Sequence, residues 1–376
     1  MAEPQSPQLP YEPYETLNEQ PHIMVDGAAR PSSVLTLSHW PQSPTPAFLA
    51  RDVSASIVLE YVRLSQAGVL GTARGPQGRA ARAALARGRA AEAVTNDHFD
   101  EDGLMSVFAL VDPAAAAAWA DILVPVATCG DFGVVHAETI AQIAFAIAPL
   151  AEAEAGAGSG TSARYQATLP LLSELIEHPG RFERYWGSEA AELAAGTAAI
   201  ANGDVTITEY GDLDLAVVER ASVSGNGRIP GAEGGLPVHA AAVHSATPVS
   251  RIIAFDGERA ECYLRYEGWV RTVSRRVPLR PDLGPLAAEL TAAEPSGLGW
   301  EANGVGAIVG RVRPGGDGRT EIEPERIVGI AARYLAAAEP AWDPWRPGGA
   351  YIPDGERSGY QASYGRPARR RRPRKA

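Results

Sequence analysis

The stretch Ala93-Val-Thr-Asn-Asp-His-Phe-Asp-Glu-Asp-Gly-Leu-Met-Ser-Val-Phe-Ala-Leu-Val111 passes from a short strand pattern through a polar turn into an apolar helix. His98, Asp100 and Asp102 stand at alternate positions, so in extended backbone their side chains point the same way. Gly103 allows a tight turn into the helix, whose positive end then faces these side chains. Imidazole and carboxylate groups suit Mn²⁺, Mg²⁺ or Zn²⁺, and we therefore predict a metal site here.

The same turn has a simpler interpretation. Asp, Glu and Gly together commonly form a solvated turn, and Asp102 could cap the helix that starts at Gly103. The position of His98 between a strand and a wholly apolar helix favours the metal site over the simple turn.

Strand and helix patterns continue to alternate on both sides of this stretch. Val34–Leu37 is followed by His39, Ile122–Ala127 reads as another strand ending near Asp131, and His136 stands at the start of the next helix. This alternation predicts an α/β fold, a parallel sheet with helices on both faces. Because ligands bind beyond the carboxyl ends of such strands, these three polar residues become candidate metal ligands beside the first motif.

Composition divides the chain into five parts. We expect a disordered, Pro-rich segment at residues 1–20 and an α/β metal-site domain at residues 21–150. A Gly-rich linker follows at residues 151–164. Residues 165–345 predict a helical segment and a smaller α+β domain, with paired strands on both sides of a Gly-Asp turn. Residues 346–376 are expected to form a disordered basic tail.

The formal net charge of −11 is unevenly spread, since seven of the 34 basic residues lie in the last eleven positions. The acidic body does not favour broad nucleic-acid binding, although the tail could contact nucleic acid or remain a solvated solubility tail. Two cysteines exclude a disulfide framework, and no long apolar run predicts a membrane span. These features predict a cytoplasmic protein.

A row of basic and aromatic residues in the second half predicts substrate contacts. Arg265, Trp269 and Arg271 fall on one face of a strand expected at 262–273, and Arg275 continues the same period of two beyond it. The four side chains could clamp phosphates and stack a base. The alternative is an exposed sheet face with Arg–Glu pairs across strands.

The pattern His98-x-Asp100-x-Asp102-Gly103 resembles the first motif of the DHH phosphoesterase superfamily. The resemblance implies an α/β domain that binds Mn²⁺ through these His and Asp residues, and a smaller C-terminal domain that closes over the substrate. The Asp-His-His tripeptide of that superfamily is absent here, and Asp131 is the best match for its separate mid-domain Asp. Leu37–Pro41, Asn96–Asp100 and Gly130–Phe132 also resemble an uncharacterised bacterial family, common in actinobacteria, with no assigned activity.

The leading hypothesis is a Mn²⁺- or Mg²⁺-dependent phosphoesterase-like hydrolase acting on a phosphodiester or phosphoanhydride, either a phosphorylated small molecule or a short oligonucleotide. Asp100, Asp102 and Asp131 would be catalytic, and two metal ions ~3.5–4 Å apart would activate water and neutralise the transition state. The alternative, favoured by the missing tripeptide, is a catalytically degenerate binding protein on the same scaffold.

Overall fold

The computed structural model describes residues 8–66, 75–220, 236–266, 270, 273–275, 277–346 and 350–361. Within them the fold is mixed α/β, with one parallel and one mixed sheet. The predicted α/β class is therefore confirmed at this level. None of the helices in the described part is long and apolar enough to cross a membrane.

The first sheet is parallel and has the strand order β2-β1-β3. Strand β1 (His22–Val25) lies in the middle, between β2 (Ser33–Leu37) and β3 (Ala93–Thr95). All four residues of β1 are buried, as expected for a central parallel strand covered on both faces. Because the strands are parallel, their carboxyl ends meet at one edge, and the polar residues that follow them come together there.

Helices fill most of the chain between and after these strands. Helices α1, α3 and α5 pack against one another, and their apolar faces form the core that supports the parallel sheet. The helices of this half are α1 (Ser54–Gln66), α2 (Gly75–Gly88), α3 (Glu101–Val111), α4 (Pro113–Ala118), α5 (Ala120–Phe132), α6 (Glu138–Ala155), α7 (Thr161–Thr168), α8 (Leu172–Glu177) and α9 (Glu183–Asn202).

The strand predicted at Ile122–Ala127 is wrong, because these residues lie inside helix α5. Leu123, Val126 and Ala127 are buried, which is the three-and-four spacing of a helix face. The short apolar run hid this period, since a buried strand and a buried helix look alike over six residues. Asp131 consequently stands in the last turn of a helix.

Two predicted disordered or linker segments are in part ordered. Residues 10–12 run beside β3, where Tyr11 bridges to Val94, and the Leu9 amide donates to the Leu110 carbonyl of α3. The expectation of disorder is therefore wrong for this part of 1–20. Helix α6 extends to Ala155 and α7 begins at Thr161, so the predicted linker at 151–164 is mostly helical.

The second sheet has six strands in the order β4-β5-β6-β7-β10-β9. Its β5–β6 pair is parallel and its other pairs are antiparallel. Its strands are β4 (Val205–Tyr210), β5 (Leu215–Arg220), β6 (Arg251–Asp256), β7 (Arg259–Leu264), β9 (Trp300–Ala302) and β10 (Gly310–Pro314). Strands β8 (Arg280–Pro281) and β11 (Pro340–Trp342) form a separate pair, and the remaining helices are α10 (Ala240–Ala246), α11 (Gly284–Ala293), α12 (Pro324–Ala337) and α13 (Asp354–Arg357).

The start of the predicted basic tail is also folded. Tyr360 donates a hydrogen bond to Asp343 at 2.9 Å, and the Arg346 guanidinium pairs with Glu356 at 2.8 Å. The expectation of disorder from residue 346 is therefore wrong for residues 350–361. The arginines from 366 onward lie outside the described residues.

Candidate metal centre

Asp26 follows the central strand β1 and lies at the middle of the site. Its side chain is 1% exposed, and its two oxygens face two different histidines. Oδ1 is 3.4 Å from His39 Nε2, and Oδ2 is 3.2 Å from His98 Nε2. The backbone has φ +45°, in the left-handed region that non-glycine residues rarely adopt. Such strain persists when surrounding structure holds it, and here the Asp26 amide donates to the Leu37 carbonyl.

His39, at the end of β2, forms the buried half of the site. Its Nδ1 lies against the Asp52 carbonyl, which can only accept, so Nδ1 is the donor of this contact. Its Nε2 lies among three carboxylates, at 3.4 Å from Asp26, 3.8 Å from Asp102 and 3.4 Å from Asp131. His39 Nε2 and Asp131 Oδ2 are buried without a hydrogen-bond partner in the described part of the chain. Two such atoms facing each other indicate a place for a cation.

His98, after β3, forms the more open half. Its Nε2 is 3.0 Å from Asp100 Oδ2, and its Nδ1 is 2.9 Å from Asp97 Oδ1. The side chains of His98 and Asp100 are 31% and 35% exposed, whereas His39 and Asp102 are at most 1% exposed. The His98 half is therefore the more solvent-exposed of the two.

Two helices begin at this site and direct their amide groups into it. We call its six side chains the cluster: Asp26, His39, His98, Asp100, Asp102 and Asp131. Asp100 Oδ1 accepts from the Gly103 amide at 2.8 Å and caps α3. The Asp102 carboxylate accepts from the Ser54 and Ala55 amides, at 2.6 Å each, at the start of α1. Asp100, and not Asp102, is therefore the cap of α3. The positive ends of both helices favour negative charge at this point.

Three of the four carboxylates hold protons more strongly than free ones do, whereas burial at Asp100 is outweighed by the hydrogen bond and charge of His98, which lower its pKa. Burial, and after it the nearby carboxylates, raise the pKa of Asp26 and of Asp102 to about 7. Burial and the same neighbours raise the pKa of Asp131 well above its usual value. Burial opposes protonation of His98, but hydrogen bonds with Asp100, Asp26 and Asp97 outweigh it and raise its pKa to about 12.

Five of the six predicted metal ligands are brought together. His39, Asp26 and Asp102 offer ligand atoms within 4.8 Å of one another, as do His98, Asp26 and Asp100. Asp131 adds an oxygen on the His39 side. His136 is exposed and lies outside both groups, so its assignment as a ligand has no support from its position.

Asp26 is the site residue that the sequence analysis did not select. The signal was present in His22-Ile-Met-Val-Asp-Gly27, a short apolar run that ends in Asp-Gly. The same pattern, a strand followed by an acidic residue, is what predicts the metal ligands after β3.

The predicted substrate-binding row is not a continuous strand face, because β7 ends at Leu264. The Arg265 guanidinium donates to the carbonyls of Thr247, Val249 and Phe132, at 3.0, 3.1 and 3.0 Å. Arg275 forms a bidentate pair with the Asp214 carboxylate at 2.8 and 3.0 Å. The remaining members, Trp269 and Arg271, lie outside the described residues.

A cavity of about 770 Å³ adjoins the buried half of the site. Asp131 and Tyr266 line it, and the Tyr266 ring lies 6.4 Å from the His39 ring, centroid to centroid. Burial, followed by the negative charge of Asp131, raises the pKa of Tyr266, so its hydroxyl stays protonated. The cavity therefore joins the candidate metal centre to side chains from the second sheet.

The model of a family of unknown function, DUF6687, matches residues 7–345, and the chain belongs to this family. The match covers both sheets and all six residues of the cluster. Neither a curated protein nor a solved structure matches the chain.

Proposed function

We propose that this member of the DUF6687 family is a metal-dependent phosphoesterase that uses two divalent ions, Mn²⁺ or Mg²⁺. His39, Asp102 and Asp131 would hold one ion, and His98 and Asp100 the other. Asp26 would bridge the two. On this proposal the parallel-sheet half is the metal domain, and the second sheet belongs to a smaller domain that completes the substrate site.

The main support is that the Asp26 carboxylate belongs to two ligand groups, one with His39 and Asp102 and the other with His98 and Asp100. One of its oxygens faces each histidine, which is the arrangement of a carboxylate that bridges a pair of ions. The second support is the His39 ring, because a metal-ligating histidine commonly donates its other N–H to a carbonyl, as Nδ1 does to Asp52.

Charge balance supports the number of ions. Asp26, Asp100, Asp102 and Asp131 carry four negative charges when ionised, and buried charges require partners. Two divalent cations supply four positive charges. Carboxylate and imidazole ligands without thiolate suit Mn²⁺, Mg²⁺ or Zn²⁺, and among these the resemblance to DHH phosphoesterases favours Mn²⁺.

The resemblance to DHH phosphoesterases motivates the choice of substrate. Of the residues that match that motif, His98 and Asp100 belong to the more exposed ligand group, and Asp102 belongs to the buried group with His39. The tripeptide missing from this chain would be replaced by Asp26 and His39, which reach the site from the two preceding strands. Asp131 would provide the mid-domain carboxylate from the end of α5.

In hydrolysis, the oxygen of a water molecule bonds to phosphorus, the ester P–O bond breaks, and the departing oxygen takes up a proton. Bound divalent ions lower the pKa of water and offset charge on the phosphoryl oxygens. The chain holds its ligands rigidly, through the caps at Asp100 and Asp102.

The test combines metal binding with turnover. Equilibrium dialysis of the full chain with Mn²⁺ should give two ions per chain, and a panel of phosphomonoesters and phosphodiesters should identify a hydrolysed member. Asp26→Asn should lower kcat by ~10³-fold or more, because it weakens both ligand groups. Asp121→Asn is the matched control, since Asp121 is exposed in the first turn of α5 and away from the cluster.

Two outcomes would overturn the proposal. The first is the absence of bound divalent metal at millimolar concentration. The second is hydrolysis that survives in Asp26→Asn. Binding of two ions without turnover on the panel would instead favour the catalytically degenerate binding protein.

A further inference from the structure

We propose that the cavity beside the cluster binds an organic ammonium group, so that the substrate is a phosphate ester whose organic part carries a positive charge. This substrate class rests on the proposed function. The binding of the cation itself does not, because it uses residues of α9 and the second sheet together with the wall of the cavity.

The acidic side chains of the cavity outnumber its available cations. Glu101, Glu189 and Glu192 line it in addition to Asp131. Two arginines also line it, but the Arg265 guanidinium is held by three backbone carbonyls. Arg311 pairs with the Glu261 carboxylate. Glu189 and Glu192 carry two negative charges against the one positive charge of Arg265, because Glu261 offsets the charge of Arg311. A second phosphate at this wall would therefore meet net negative charge, which disfavours oligonucleotides and other polyanions.

The two histidines of the wall add no positive charge. His239 Nδ1 accepts from the Ala241 amide, so the proton of its neutral ring is on Nε2, 3.5 Å from Glu189 Oε1. His244 is buried and hydrogen bonded to the Tyr263 hydroxyl at 3.0 Å. Burial, with the nearby Arg265 charge, lowers the pKa of His244 to about 3, so it is neutral.

Aromatic rings supply the second part of an ammonium site. Phe145, Tyr185, Tyr263 and Tyr266 line the cavity, and aromatic faces attract cations in desolvated places. The Arg311 guanidinium already lies over the Tyr263 ring, 5.9 Å from its centroid. The wall therefore combines carboxylates with ring faces, which is how proteins recognise amines and quaternary ammonium groups.

The orientation of the substrate follows from Asp131. Its side chain is 6% exposed, its Oδ2 has no hydrogen-bond partner among the described residues, and it lines both the cavity and the cluster. A phosphate at the cluster would leave the organic part in the cavity, within reach of Glu189 and Glu192. The volume of about 770 Å³ suits a small molecule of this kind.

The test is a binding measurement on the full chain without turnover. Isothermal titration calorimetry compares 2-phenylethylammonium with the uncharged 2-phenylethanol, which has the same ring and a similar length. We expect the ammonium to bind at least ~10-fold more tightly. The preference should fall to about twofold or less in Glu189→Gln/Glu192→Gln, and it should persist in Glu183→Gln, an exposed position on the same helix.

The Asp26→Asn variant separates this site from the metal ligands. We expect it to retain the ammonium preference, because Asp26 does not line the cavity. Equal binding of the two probes would overturn the inference, and so would a preference that survives in the double variant. A preference lost in Asp26→Asn would place the cation at the cluster instead. Absence of phosphoester hydrolysis would count against the proposed function and leave the cation site standing.

Discussion

At the edge of the parallel sheet, the Asp26 carboxylate lies among other acidic side chains, while in the second half of the chain the Glu294 carboxylate is surrounded by donors. Glu294 accepts from the Trp300 indole at 3.2 Å, the Thr320 hydroxyl at 2.6 Å and the Glu321 amide at 3.0 Å. Both side chains are largely buried. Burial raises the pKa of Asp26, whereas at Glu294 these hydrogen bonds overcome burial and lower the pKa to about 2.

The opposite pKa shifts distinguish a carboxylate whose charge the fold already satisfies, Glu294, from one whose charge it does not, Asp26. Asp214 also belongs to the satisfied class, because it pairs with Arg275 and accepts from the Ser250 amide at 3.1 Å. These two carboxylates of the second half are therefore satisfied without any added ligand. At the cluster, helix amides satisfy Asp100 and Asp102 in part, but Asp131 Oδ2 and His39 Nε2 remain without hydrogen bonds inside the described chain.

Neutral substitutions at the two carboxylates should change stability in opposite directions. In metal-free protein at pH 8, Asp26→Asn should raise the free energy of unfolding by ~1–3 kcal/mol. Burial of the Asp26 charge and its repulsion by Asp102 and Asp100 outweigh the contact with His98 and the hydrogen bond from the Ser54 hydroxyl. Asn also tolerates the left-handed backbone at this position. Glu294→Gln should lower it by ~1–3 kcal/mol, because either amide orientation sets an N–H against a donor. Urea unfolding curves measure both.

The signs of the two changes in the free energy of unfolding test whether the cluster differs from the Glu294 site. If Asp26→Asn destabilises the metal-free protein as Glu294→Gln does, the cluster is a satisfied structural network. With Mn²⁺ present, the wild type should become more stable to unfolding than Asp26→Asn, because the wild type gains the binding energy of the ions and the variant loses most of it.

The pH dependence of stability should also differ between the two regions. A raised pKa in the fold means that the folded chain holds the proton more tightly than the unfolded chain. Asp26 and Asp102 rise from 3.8 to about 7, and His98 from 6.5 to about 12, so their contribution is lost as pH rises. The lowered pKa of Glu294 contributes stability that is lost only as pH falls below 4.5 toward about 2.

Metal-free protein should therefore lose thermal stability between pH 5 and pH 8, by ~4 °C or more. The melting temperature in the presence of EDTA measures this change. Saturating Mn²⁺ should remove most of the slope, since the ions replace the protons. A melting temperature in EDTA that stays level or rises across this range would contradict the assignment of the raised pKa values.

Much of the site was predictable because its ligands stand next to short, regular strands. His39 follows β2, and His98, Asp100 and Asp102 follow β3, so the parallel sheet alone brings them to one edge. Asp131 was selected for a wrong reason, as the end of a strand that is in fact α5. It reaches the cluster because α5 packs against α3, and tertiary packing of this kind leaves no local signal in the sequence.

The basic residues of the second half were harder to interpret, because period-two spacing does not show where a strand ends. Arg265 has the right spacing for a substrate clamp, yet β7 stops one residue earlier and the side chain turns inward. Its acceptors are carbonyls separated from it by up to 133 residues. Such acceptors depend on how the two halves pack, and a single sequence does not reveal them.

Arg265 connects the two regions, and its substitution should have the smallest effect. Its guanidinium reaches the carbonyl of Phe132, next to Asp131, as well as those of Thr247 and Val249. Lysine carries its donors on one nitrogen and cannot span all three acceptors. Arg265→Lys should weaken Mn²⁺ binding at the His39–Asp131 site by up to ~10-fold and leave the His98–Asp100 site unchanged.

Arg311→Lys is the control, since Arg311 lines the same cavity and its lysine replacement can keep the pair with Glu261. Mn²⁺ titrations followed by electron paramagnetic resonance resolve two affinities. A lower melting temperature with both affinities intact would mean that Arg265 only joins the two halves and does not position Asp131.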